Sequence, residues 1–86
     1  MTIYKVLVVN ADQQFVYESG LFADFHSAHL DFVSQLLETA VEDTTVEAGE
    51  IDQVVSQAEQ LSVESLGNGQ FIQMFGQYAH CLVEVQ

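Results

Sequence analysis

Eighty-six residues carry thirteen acids against a single base, Lys5, for a formal charge of −12. The eighty-one residues after Lys5 hold no Lys or Arg, which excludes a protein that grips nucleic acid through its phosphates and argues against docking on anionic membranes. Hydrophobic residues make up 49% and charged ones only 16%, so this is no disordered acidic tail but a chain able to bury one modest core, as one domain over residues 1–86.

The first segment, Ile3–Val9, is β-branched and apolar on both faces, which suits a central strand. Asn10 to Gln13 supplies turn chemistry, and Phe15–Glu18 reads as the hairpin partner, ended by Ser19-Gly20. From Phe25 the period changes. Phe25, Ala28, Phe32, Leu36 and Ala40 recur at helical spacing, with His29, Val33, Leu37 and Val41 beside them on the stripe expected to be buried. Ser27 is the expected N-cap, and Asp31 is placed near the first turn, at the positive end of the helix dipole.

The middle of the chain is less regular. Thr44-Thr-Val-Glu47 fits a capping box for a second helix, but Gly49 interrupts a helix starting there. The firm part is expected at about Glu50–Leu61, with Ile51, Val54, Val55, Ala58 and Leu61 inward. Leu66-Gly-Asn-Gly-Gln70 is the strongest turn signal. Phe71–Phe75 and Tyr78–Val85 read as strands, separated at Gly76-Gln77 by either a tight turn or a bulge. On the last segment Ala79, Cys81, Val83 and Val85 share one face, and Tyr78, His80, Leu82 and Glu84 the other. The order ββα(α)ββ predicts an α+β domain, an antiparallel sheet with one or two helices on one face.

One cysteine cannot form an internal disulfide, and no basic segment followed by an apolar one marks a signal peptide. No run approaches the roughly 20 apolar residues that span a bilayer, so the expectation is an intracellular, cytoplasmic protein.

Motifs for chemistry are scarce. His26 and His29, at i and i+3, offer two imidazoles, but a metal site needs further donors, and no spacing ties His80, Cys81 or Asp24 to them. His80 and Cys81 are neighbours on a strand and point to opposite faces, so they form no nucleophile–base pair; Cys81 reads as a core residue. The acids after Glu42 place Gly49 one position late for a calcium loop. Neither a metal nor a cofactor is expected, and no carboxylate pair is singled out for acid–base catalysis.

The acids matter as a population. Eight of the thirteen lie between Glu38 and Glu64. Asp31, Gln35, Glu38 and Glu42 form a polar stripe on the first helix, with the two intervals between its acids spanning about 10 Å and about 6 Å along the axis. Glu50, Asp52 and Glu59 occupy outward positions on the second helix, with Asp43 and Glu47 beside them. An ordinary helical surface would interleave Lys with these acids; here no such pair exists, and repulsion among them slightly destabilises the compact state.

Magnitudes of about 2–8 serve solubility in a small domain, and −12 lies beyond them. The expected partner is a strongly basic protein or ribonucleoprotein whose normal ligand is nucleic acid. Phe22 or Tyr78 would provide an apolar anchor at the rim of the acidic surface. A homodimer is compatible with the pattern. Two other readings stand beside it: an ordinary interaction module whose acidity serves solubility, and a small metal-binding domain.

In its apolar first strand (Thr2 to Asn10), its helix opening at Phe25-His-Ser-Ala28 and its near-absence of bases, the chain resembles the small acidic inhibitors of phages and mobile elements, anti-CRISPR proteins and DNA mimics among them. The resemblance is one of class and covers the whole chain. It implies stoichiometric, non-enzymatic binding to a nucleic-acid-handling complex of a host bacterial cell, blocking its nucleic-acid channel or effector site.

Overall fold

A computed structural model describes residues 2–85. Strand β1 (Ile3–Val9) pairs antiparallel with β2 (Phe15–Glu18) on one side and with β4 (Tyr78–Val85) on the other; β4 pairs with β3 (Gln70–Phe75), giving the antiparallel order β2-β1-β4-β3. The doubly apolar β1 is central, as its composition requires. Helices α1 (Phe25–Glu42) and α2 (Ala48–Glu59) cover one face of this sheet, and a short 3-10 turn at Val63–Ser65 leads back to β3. The radius of gyration, 12.3 Å, matches the roughly 12 Å of a compact chain of this length.

Alternation along the strands sorts the side chains cleanly. Tyr4, Val6 and Val8 from β1 and His80 and Leu82 from β4 point under the helices and are buried, meeting Ala28, Phe32 and Leu36 of α1 and Val54 and Ala58 of α2. No described helix lies on the other face. Strand register sets its rows: Ile3–Val85, Lys5–Val83–Gln70, Leu7–Cys81–Ile72 and Val9–Ala79–Met74.

Local chemistry fixes the connections. The Asn10 side-chain oxygen accepts from the backbone N–H of Asp12 and Gln14, both at 3.0 Å, and Gln13 takes the left-handed φ that closes the β1–β2 turn. Ser19 is buried, and its hydroxyl accepts from Val6 N–H at 2.8 Å where a strand carbonyl would otherwise stand. Asn68 and Gly69, both at positive φ, turn the chain into β3 as the Asn-Gly pair predicts. Gly76 and Gln77 form the tight-turn alternative between β3 and β4, not a bulge.

Four expectations are corrected. Asp24, not Ser27, caps α1: its carboxylate accepts from Ser27 N–H at 2.8 Å and Ser27 Oγ–H at 3.1 Å, so Ser27 stands at the third helical position and Asp31 lies past the first turn. No capping box forms at Thr44–Glu47. Glu47 is the N-cap of α2 without a side-chain bond, Gly49 lies inside the first turn, and the helix ends at Glu59 rather than Leu61. Cys81 is half-buried on the uncovered sheet face rather than in the core; burial pushes its thiol up from the ordinary value. Leu37 and Val41 are 46% and 85% exposed, because the sheet and α2 cover only the inner side and one flank of α1.

Candidate interaction surface

Helix α1 repeats every 3.6 residues, so its core residues Ala28, Phe32, Leu36 and Thr39 define an inward direction. Leu30, Leu37 and Val41 lie almost opposite, and Leu30 is 58% exposed. The outermost ridge of the helix is therefore largely apolar, interrupted by the exposed Ser34 between Leu30 and Leu37. On one flank, toward β2, run Asp31, Gln35, Glu38 and Glu42. On the other, α2 packs alongside, and His26, His29, Leu30, Val33, Ser34 and Leu37 with Glu59 of α2 line an open groove of about 570 Å³. His29 holds the two helices together, its Nε2–H donating to the Ala58 carbonyl at 2.6 Å while its ring stacks on Phe25. Asp52, seven residues before Glu59, shares the groove-side face of α2.

The eight acids singled out by the sequence thus separate into groups. Glu38 and Glu42 are exposed on the α1 flank, where they line a shallow cleft with Tyr17, Gln35 and Tyr78. Asp31 is half-buried on that flank and accepts from Tyr17 Oη–H at 2.8 Å. Burial, the bond to Asp31 and the charges of Asp31 and Glu38 push the Tyr17 phenol up to about 12. Asp52 and Glu59 flank the ridge from α2. Glu50 points to the far side of α2, and Glu47 sits at its start.

Asp43 has a different task. One carboxylate oxygen accepts from Thr45 N–H at 2.9 Å and Thr45 Oγ1–H at 2.5 Å, and the other from Gln77 N–H at 3.1 Å, tying the end of α1 to the β3–β4 turn. The bonds to Thr45, with that from Gln77, hold its carboxyl below the usual range. Of the two expected anchors, Tyr78 stands at the rim beside Glu38 and Glu42, whereas Phe22 bridges to Tyr4 and packs against the core. The exposed apolar side chains beside the acids that sequence reasoning missed are Leu30, Leu37 and Val41. Their outward position follows once the helix is phased on Phe32 and Leu36 alone.

The single base, Lys5, is far from this surface in register terms: it lies on the uncovered sheet face, ion-paired to Glu18. Deep under α1, His80 is fully buried, with Nε2 bonded to Thr39 Oγ1 at 3.0 Å and Nδ1 without a partner. Burial pushes its pKa down to about 4, so the ring is neutral near pH 7. Among the described residues, no group of three or more His, Cys, Asp or Glu side chains converges on a point that would hold a metal ion. No described helix is long and apolar enough to cross a membrane. No protein-family model, curated protein or solved structure matches the chain.

Proposed function

We propose that the protein is a non-enzymatic, acidic binding protein whose helical face occupies a basic surface of a nucleic-acid-handling protein or ribonucleoprotein, in the manner of the phage-encoded inhibitors it resembles, within a host bacterial cell. One observation carries the reading: an exposed, largely apolar ridge, Leu30–Leu37–Val41, stands between two acidic flanks, Asp31–Glu38–Glu42 and Asp52–Glu59, with no Lys or Arg among them. Carboxylates alone steer a basic partner but discriminate poorly. Apolar side chains at the centre of a charged patch supply the desolvated contact that makes such binding specific. Lys and Arg that normally grip phosphates meet the flanks, and the ridge fills the apolar space between them.

The test immobilises the protein, passes host lysate over it, and elutes with rising salt. A captured nucleic-acid-binding protein, released at a few hundred millimolar salt and competed by heparin, is the expected result. Glu38→Gln, Glu42→Gln, Asp52→Asn and Glu59→Gln together abolish capture, and Leu37→Ser alone weakens it. Capture that ignores salt and survives the four neutral substitutions overturns the reading.

A further inference from the structure

The uncovered face of the sheet is an interaction surface of a different kind, and we propose that it is where two copies of this chain pack sheet to sheet as a homodimer. This inference does not depend on the helical face. Each strand of a sheet with one wet face ordinarily alternates apolar and polar residues. Here the rows Leu7–Cys81–Ile72 and Val9–Ala79–Met74 are apolar on a face that no described helix covers. At one end, Phe15 and the β1–β2 turn rise on one side and Ile72 and Met74 on the other, enclosing a depression of about 460 Å³ whose floor is the small Ala79 and Cys81 with Val9. Phe15 and Met74 are each 64% exposed. A twofold contact seats a protruding side chain of each copy over the small floor of the other, as self-complementary interfaces require.

Charge selects the occupant. By register the only charged side chains on this face, among the described residues, are Lys5 and Glu18, and they neutralise each other. A basic partner finds no counter-charge here, whereas a second copy brings an equally neutral, apolar face. Stacked this way, the acidic helices of both copies point outward. Sheet-to-sheet spacing alone is about 10 Å, one Debye length at ordinary salt, so the repulsion between the two sets of acids is reduced but not removed. Strands about 4.8 Å apart and four to eight residues long at about 3.3 Å per residue give a flat footprint of roughly 400 Å² per copy. Relief of the side chains and the β1–β2 turn add to this, bringing the pair to the lower end of specific interfaces, about 1,000 Å² in total. An interface below about 1,200 Å² belongs to the weak, transient class, so the dimer is expected to dissociate in the micromolar range.

Sedimentation tests this directly. At about 100 µM the protein is expected at twice its 9.6 kDa mass, dissociating on dilution to about 1 µM, which brackets a micromolar dissociation constant. Added salt, by screening the net −12 of each copy, shifts the equilibrium toward dimer. Ile72→Glu with Met74→Glu, exposed positions whose substitution leaves the core untouched, weakens association at least about a hundredfold. Leu37→Glu, on the helical face, leaves it unchanged. Wild-type protein that stays monomeric at about 100 µM in high salt overturns the proposal. So does association that survives the sheet variants, or that Leu37→Glu breaks.

Discussion

Burying an imidazole with one hydrogen-bond partner for two nitrogens makes its protonation the expensive event. His80 sits between Phe32, Phe75 and Tyr78, with Thr39 Oγ1 its one side-chain hydrogen-bond partner among the described residues. Its pKa falls from 6.5 in a free side chain to about 4 in the fold. The unfolded chain therefore takes up a proton first as the pH drops, and the stability contributed by the neutral ring, complete above pH 6.5, is lost between there and pH 4. Denaturant titrations at about pH 7.5 and about pH 5 should differ by about 2 kcal/mol, and His80→Leu should remove most of that difference. An equal pH slope in the variant would show that other groups produce it. A second constraint of this scale lies at Gly76, whose φ of 60° is left-handed and whose Cβ, if present, would collide with the Asp43 carboxylate. Gly76→Ala should lower stability by about 1–3 kcal/mol in the same titrations. In an Asp43→Ala background, where that space is freed, Gly76→Ala should be less damaging than it is alone; full additivity would argue that backbone strain alone is responsible.

Elements were legible where one periodicity spoke without competition. Ile3–Val9, Phe15–Glu18 and Tyr78–Val85 stand where their spacing places them, and the helical repeat runs from Phe25 although its cap is Asp24 rather than Ser27, because alternation or the 3.6 repeat is set there by several large residues at once. The beginning of α2 was obscured for a physical reason: packing of Val54 and Ala58 against the core outweighs the helix-weakening Gly49, and no side chain marks the cap. At α1, Asp24 and Ser27 are both good caps three residues apart, and only geometry chooses between them. The same limit hid the ridge. The apolar positions on α1 exceed what one helix can bury, and sequence spacing alone does not say that Leu37 and Val41 are the ones left over. The acidic positions were legible as a population but not by role: nothing in the string separates Asp43, which ties a turn, from Glu38 and Glu42, which line an open cleft. That exposure has a consequence. Glu38 and Glu42 repel each other one turn apart, so Glu38→Gln with Glu42→Gln should leave the helix as stable or more stable by a few tenths of a kcal/mol. A loss of stability instead would mean that these carboxylates serve the fold rather than a partner.

At the scale of the whole molecule, the charge is segregated rather than spread. The acids lie on the helices, the turns and, at Glu84, the helix-side face of β4, while the open sheet face carries one mutually neutralised pair among the described residues. Two surfaces so different in character should respond to ionic strength in opposite directions. The proposed binding through Asp31, Glu38, Glu42, Asp52 and Glu59 rests on attraction between opposite charges and should weaken as salt is added. The proposed association through Leu7, Ile72, Met74 and Cys81 brings like-charged bodies together by apolar burial, and salt should strengthen it by relieving their repulsion. The two are also separable by mutation. The monomeric Ile72→Glu, Met74→Glu variant should still capture the basic partner, though with the reduced avidity of one site in place of two, and the four neutral substitutions on the helices should leave the dimer intact or tighten it. Joint loss of both properties in either variant would mean that a single surface serves both.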